Sequence, residues 1–303
     1  MTIERFPFRA MASPCEVVIG SLTREAAARI ADQAIAEVRR IEAKYSRFTD
    51  HSVIARINAR AAHEPVELDD ETHSLLAYAS RIHEISGGLF DITTGLLQQA
   101  WDFRGARVAN PSVLADLCKH VGWSRVDLGN GSIRLPSPRM RLDFGGFGKE
   151  YAADRAAGVL REAGVKTGYI NLGGDLCAIG TRPDGEPWSI GIQHPRTPDA
   201  LIASIPIADC ALATSGDYER FFEHQGRRYC HILSPLTGQP VSAWQSVSVI
   251  APQAITAGTT ATVAMLLEDE ALDFLHETRL AFLAVDANGN TFTHRSPHMT
   301  RSP

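Results

Sequence analysis

Apolar positions along the chain alternate between two periods, one suited to strands and one to helices. Residues 7–20 read as a first strand with Val17, Val18 and Ile19 at its core. Thr23 is placed to cap a helix reaching about Lys44, because Ile30, Ile35, Val38 and Ile41 fall near helical spacing. YSRFTDHSVIARIN then reads as a polar turn and a short apolar segment. Asp69–Ser86 predicts a second helix with Leu75, Ala79, Ile82 and Ile85 on one face and Gly87–Gly88 as its stop. Turn signals and short strands fill residues 110–135, where Asn130–Gly131 is a hairpin bend. RMRLDF alternates like a strand, GGFG breaks it, and KEYAADRAAGVLREAG predicts a helix closed by Gly164. TGYINLGGD is a strand ending in two glycines, and Trp188 to Ala213 holds two more strands. ATSGDYERFF opens at a turn or a helix cap. QSVSVIAP is a strong strand, ITAGTTATVAMLL a buried helix and AFLAVDANGNTFTHR a terminal hairpin. The tail over residues 294–303 is expected to fray.

Strands lying next to strands, with helices of modest length between them, predict an α+β fold over a regular βαβ sheet. No repeat of short period is present. The 303 residues are 44% hydrophobic and 21% charged, enough for one large domain or two packed halves. A formal net charge of −5 with interspersed signs gives no basic footprint, which argues against nucleic-acid binding. Glu4, Arg5 and Arg9 interrupt any signal-peptide core, and no apolar run is long enough for a membrane span; the expectation for the chain as written is a cytoplasmic protein. Its five cysteines are odd in number and lack CxxC spacing, so they read as thiols.

Candidate chemistry is thin fragment by fragment. In YCHILSPLTGQPV, an apolar strand carries His231 into a tight turn, and such a histidine is by default a partly buried one with its ring hydrogen-bonded. LDFGGFGKEYAAD places glycines 145, 146 and 148 before a helix, where backbone amides can approach an anion or the glycines simply allow close packing. It is neither a Walker loop nor a dinucleotide fingerprint. INLGGD reads as a strand-end bulge or turn beside a carboxylate, and ATSGDYERFF offers Thr214, Ser215 and Asp217, with Thr214 or Ser215 as a simple helix cap. No serine-hydrolase or zinc-enzyme pattern occurs.

The order of the fragments says more than any one of them. MASPCEVVIG, YSRFTDHSVIARIN, GLFDITTGLLQQAWDF, LDFGGFGKEYAADRA, GYINLGGDL, ATSGDYERFF, YCHILSPLTGQPV and SVSVIAP with AGTTAT resemble the ApbE family of FAD:protein FMN transferases over roughly residues 7–285. The resemblance implies a single domain over residues 1–303 built of two intimately packed α/β subdomains with mixed, largely antiparallel sheets, of the T-fold kind. It also implies cleavage of the FAD pyrophosphate with Mg²⁺, attachment of FMN through its phosphate to a Thr or Ser hydroxyl of an acceptor protein, and release of AMP. His231 would be the base for the attacking hydroxyl. Met11 would line the flavin pocket and Phe48 stack near the flavin or adenine. Leu89, Phe90 and Asp91 would meet the adenosine part, Gly145 and Tyr151 flank the pyrophosphate, and Ile232 adjoin the histidine. Gly148, through its carbonyl, and the Ala261–Thr262 pair would face Mg²⁺. Many relatives are lipoproteins, whereas no lipobox is visible in this chain.

Departures cluster at the metal segment. The family pattern is approximately A-D-A-x-A-T, and the carboxylate position four residues before Thr262 is Gly258 here. Ser234, Leu236 and Ala12 also differ from the family's usual Asp, basic residue and glycine. Three readings stay open at this point. In the first, Asp143, Asp175 or Asp217, together with water and the FAD phosphates, still holds Mg²⁺. The second is an FAD-binding protein without transfer, and the third a metal-dependent FAD pyrophosphatase.

Overall fold

A computed structural model describes residues 2–295, so most of the tail expected to fray lies outside the described residues. Its centre is an eight-stranded sheet whose strands neighbour one another in chain order. The strands are Ile3–Ala10, Ser13–Gly20, Gly168–Leu172, Asp175–Ile179, Ala211–Gly216, Trp244–Ala251, Ala281–Asp286 and Thr291–His294. Every pairing in this sheet is antiparallel, so the family expectation of mixed sheets resolves to a uniform one.

The helices divide the sheet into two like halves. Helix α1 (Arg24–Tyr45) follows the first strand pair; α2 (Val53–Arg60), α3 (Asp70–Ile85) and α4 (Pro111–Cys118) lie in the long connection; α5 (Gly148–Glu162) leads into the second pair. In the second half, α6 (Ala254–Leu267) and α7 (Ala271–Thr278) stand between the strand pairs. Two strands, two packing helices and two strands thus occur twice. Alternation within the strands sets the layers. Val17, Ile19, Ile170, Leu172 and Cys177 pack with α1 and α5, and Val247, Val249 and Ala284 pack with α6 and α7. The intervening Val18, Tyr169, Leu176, Leu212 and Ile250 meet a hairpin, Trp188–Gln193 with Leu201–Ile207, on the opposite face. Helix α6 is buried nearly all round, as its unbroken run of small and apolar residues predicts. Among the described residues no helix is long and apolar enough to cross a membrane.

Several local expectations are corrected. Residues 7–20 form two strands, because Met11 and Ala12 turn the chain at φ 51° and 60° without the usual turn residues. RMRLDF buries Met140, Leu142 and Phe144 as its alternation requires, but among the described residues no strand pairs with it. Instead, the Asn58 side-chain amide accepts from Leu142 N at 2.7 Å and donates to Leu142 O at 3.0 Å, mimicking a strand neighbour. The short apolar segment after the polar turn is helix α2, capped by Ser52, and α4, capped by Asn110, forms where the sequence predicts turns and short strands. ATSG lies inside a strand, and His231 sits one residue beyond Arg227–Cys230 instead of within it. Helices α1 and α3 start and stop as the caps predict, at Thr23 and at Asp69 with Ser86.

Candidate active site

The join between the two halves of the sheet is its narrowest seam. Only Ala211–Cys177 and Leu212–Leu176 pair there, whereas the first hairpin pairs eight residues with eight. Beyond Leu212 the strands part, and the Asp175 carboxylate, 3.4 Å from Thr214 N, takes the place of the missing backbone acceptor. Four segments close on this opening.

Helix α5 begins without a side-chain cap, with Phe147 in the cap position. Its second residue, Lys149, reaches Asp175 at 2.7 Å. Burial alone would lower the lysine's pKa, but Asp175 and Glu150 hold it above the ordinary value. The next residue, Glu150, is buried, and its Oε2 has no hydrogen-bond partner. Burial and then the neighbouring Asp175 push its carboxyl well above the ordinary range. From α6, the Thr262 hydroxyl lies 2.8 Å from the Ser215 hydroxyl on the parted strand. Thr214 pairs with Ser248 at 2.8 Å, so neither hydroxyl caps a helix. Among the described residues no group of three or more His, Cys, Asp or Glu is arranged to hold a metal ion.

His231 completes the cluster. Its amide donates to Arg220 O at 3.0 Å, and its ring Nδ1 is buried with no partner. Burial, followed by the charges of Arg220 and Lys149, lowers its pKa to about 4, so the ring is neutral near pH 7. The turn after it is anchored from outside. Gly238, at φ 69°, lies so close to Leu114 of α4 that a Cβ would meet it at 2.6 Å, and the Trp101 indole donates to Gly238 O at 3.0 Å. Ser234 N bonds Gln239 O and Val241 N bonds Ile232 O, which fixes the segment that carries the imidazole. Ile232 itself is buried in the core beneath α6.

The other expected residues fall around this centre at different depths. Phe48 is 81% exposed, with the Arg47 guanidinium 4.6 Å over its ring. Both line an open cleft of about 360 Å³ with Gly95 and Gln98. Asp143 pairs with Arg47 at 3.3 Å and accepts from Gly145 N at 2.9 Å, so the Gly145 turn borders this cleft. Phe90 packs on Phe147 and Gly146, and Leu89 packs against the core beneath α6. Met11 donates its amide to Glu42 at 2.6 Å in the tip of the first hairpin. Two side chains are committed elsewhere. Asp91 accepts from Thr93 N, Thr93 Oγ1 and Trp123 N at 2.6–2.8 Å, which uses both oxygens to hold its own loop. The Tyr151 hydroxyl donates to Glu71 at 2.7 Å. Ala261 is fully buried within α6 and offers only its backbone carbonyl. Of the carboxylates considered as substitutes at Gly258, Asp143 belongs to the Arg47 pair and Asp217 is clamped by Arg196 at 2.6 Å, leaving only Asp175 in the cluster. Sequence reasoning passed over Glu150, whose one visible signal is a carboxylate directly after the lysine at a glycine-marked helix start.

Known proteins share this architecture. The ApbE family matches residues 11–284. The FAD:protein FMN transferase of Treponema pallidum is 32% identical over 285 residues, covering 84% of this chain and 78% of that protein. That of Haemophilus influenzae is 28% identical over 269 residues, with the same coverage of 84% and 78%. The crystal structure of the ApbE protein from Thermotoga maritima superposes with a TM-score of 0.90 at 30% identity, covering all of both chains. The apo flavinyl transferase ApbE of Pseudomonas stutzeri gives 0.86 at 27% identity, covering 97% of this chain and 95% of that one. Matched along nearly its whole length in both sequence and fold, the chain belongs to the ApbE family.

Proposed function

We propose that the protein transfers the FMN half of FAD to a Thr or Ser hydroxyl of an acceptor protein and releases AMP. The observation that carries this reading is a neutral imidazole with a buried, unpartnered Nδ1, set beside an uncapped helix start and a half-buried lysine. The reaction forms a bond from the acceptor oxygen to the FMN phosphorus and breaks the phosphorus–oxygen bond to AMP. His231 takes the hydroxyl proton. Lys149 and the first amides of α5 face the charge that develops on the diphosphate oxygens.

The flavin dinucleotide extends from this centre toward the cleft at Phe48, with the Gly145–Gly148 turn between them. In this reading Met11, Leu89, Phe90 and Ile232 supply apolar walls, and Asp91 shapes its loop instead of touching the nucleotide with its carboxylate. Tyr151 contributes its ring. Magnesium fits the oxygens available: the Thr262 hydroxyl and the backbone carbonyls of Gly148 and Ala261 would hold it, with phosphate oxygens and water completing the shell. When bound, it would neutralise the diphosphate and ease departure of AMP.

The direct test incubates the protein with FAD, Mg²⁺ and a candidate acceptor domain, and weighs the acceptor by mass spectrometry. A mass gain of one FMN phosphodiester with one AMP released per acceptor is expected. FAD that binds but yields only free FMN and AMP overturns transfer in favour of hydrolysis.

A further inference from the structure

Helix α6 carries a gap that another helix fills. A Cβ built on Gly258 would lie 2.4 Å from Glu150 Oε1, 2.6 Å from its Cγ and 2.8 Å from its Cδ. The Glu150 carboxylate of α5 therefore occupies the space into which a side chain at position 258 would project. Gly258 and Thr262 are one turn apart on the same face of α6. The carboxylate and the Thr262–Ser215 hydroxyl pair thus line one side of the same opening.

The charges around it do not close. Lys149, the cation nearest the cluster, is paired with Asp175 at 2.7 Å, and Glu150 is left with a buried oxygen that meets no donor. A carboxylate more than nine-tenths buried and unpaired is costly to keep unless something positive arrives. Among the described residues no arginine or lysine from another element bonds to it. The remaining oxygens nearby are the Asp175 carboxylate, held by Lys149, and the neutral Thr262 and Ser215 hydroxyls, which with Glu150 make a donor set for a hard divalent cation.

We infer that Glu150 is the protein's anionic ligand for the divalent cation, reaching from α5 into the place that Gly258 leaves open on α6. This rests on the proposed metal-assisted transfer and names the residue that makes it workable in this chain. Glu150 and Gly258 are then one device: the small residue is required because the large one crosses its space.

Mn²⁺ binding, followed by loss of the free ion's electron paramagnetic resonance signal with and without FAD, tests this apart from turnover. Glu150→Gln, of equal shape, should weaken Mn²⁺ binding about tenfold or more while the melting temperature stays level or rises. Gly258→Asp alone should lower the melting temperature, since the new Cβ collides with Glu150. The double variant Glu150→Ala, Gly258→Asp should restore both folding and Mn²⁺ affinity to within about threefold, the carboxylate having moved from one helix to the other. Unchanged Mn²⁺ affinity in Glu150→Gln, or absence of Mn²⁺ binding by the native protein, overturns the inference. If the native protein flavinylates an acceptor while Glu150→Gln binds Mn²⁺ normally, transfer stands and this assignment falls. Glu150-dependent Mn²⁺ binding without any transfer does the reverse: the ligand assignment stands and transfer falls.

Discussion

A buried imidazole with its pKa lowered to about 4 would be an unusual base for the proposed transfer, and its surroundings explain the shift. Burial and two nearby cations disfavour the protonated ring, so at neutral pH the imidazole keeps one nitrogen unprotonated and able to take a proton. A dinucleotide diphosphate brought alongside adds negative charge and raises the pKa toward the working range. Imidazole proton NMR should therefore show His231 titrating near pH 4 in the free protein and higher with FAD bound; an unperturbed midpoint near 6.5 contradicts the burial seen here. The same shift has a sign for stability. The folded pKa lies below the unfolded one, so the unfolded chain binds the proton first as pH falls. Stability from this group is complete above pH 6.5 and declines as pH drops toward 4, and His231→Gln should flatten that part of the denaturation curve. His231→Ala should remove transfer while sparing FAD affinity, read by acceptor mass and by flavin fluorescence titration. The histidine was legible from its motif, but the partner that matters to Gly258 was not. Spacing along one helix shows what a missing carboxylate leaves behind; it does not show a side chain arriving from another helix more than a hundred residues away.

Helices α5 and α6 meet through a short series of contacts that explains how Glu150 finds Gly258. One turn further along α5, Asp154 accepts from Ala254 N at 2.7 Å and Ile255 N at 2.9 Å, capping α6 where Gln253 provides no side-chain cap. Asp154 to Glu150 runs opposite to Ala254 to Gly258, so the helices are antiparallel here and the two contacts sit one turn apart. Asp154→Ala leaves two amides without acceptors and should cost about 2 kcal/mol in urea denaturation. It should also weaken Mn²⁺ binding, since α6 is no longer pinned beside Glu150; unchanged stability and binding would show that packing alone sets the helix pair. At this scale the periodic elements were readable: α1, α3, α5 and α6 follow from caps, glycine stops and apolar spacing. The failures share a cause. RMRLDF has the alternation of a strand, but alternation reports burial on one side and not a pairing neighbour, and Asn58 supplies that neighbour with a side chain. The first hairpin was hidden because Met11 and Ala12 adopt left-handed φ, which their residue types do not announce.

Across the whole molecule, two four-stranded units, each with helices between its strand pairs, share one sheet but are joined through only two registered residue pairs. The site lies at that seam because parted strands free the backbone and side chains that a packed interior strand spends on its neighbours. Asp175 bridges the gap to Thr214, and Ser215 turns to Thr262 of α6, while α5 of the other unit presents Lys149 and Glu150. A ligand there touches both units and should tighten the seam. Hydrogen exchange of the native protein should then be slowest in Trp244–Ala251, which is buried along its whole length and paired on both edges. The amide of Thr214 should exchange markedly faster, since the ladder to Asp175–Ile179 has ended before it and only the Asp175 carboxylate, at 3.4 Å, accepts from it. FAD with Mg²⁺ should slow exchange at the seam and leave Trp244–Ala251 nearly unchanged, and a ligand at 100 times its Kd should add about 2.7 kcal/mol to global stability. Protection confined to the Phe48 cleft, with the seam unaffected, would mean that the dinucleotide never reaches the imidazole, and transfer chemistry at His231 would have no substrate to act upon.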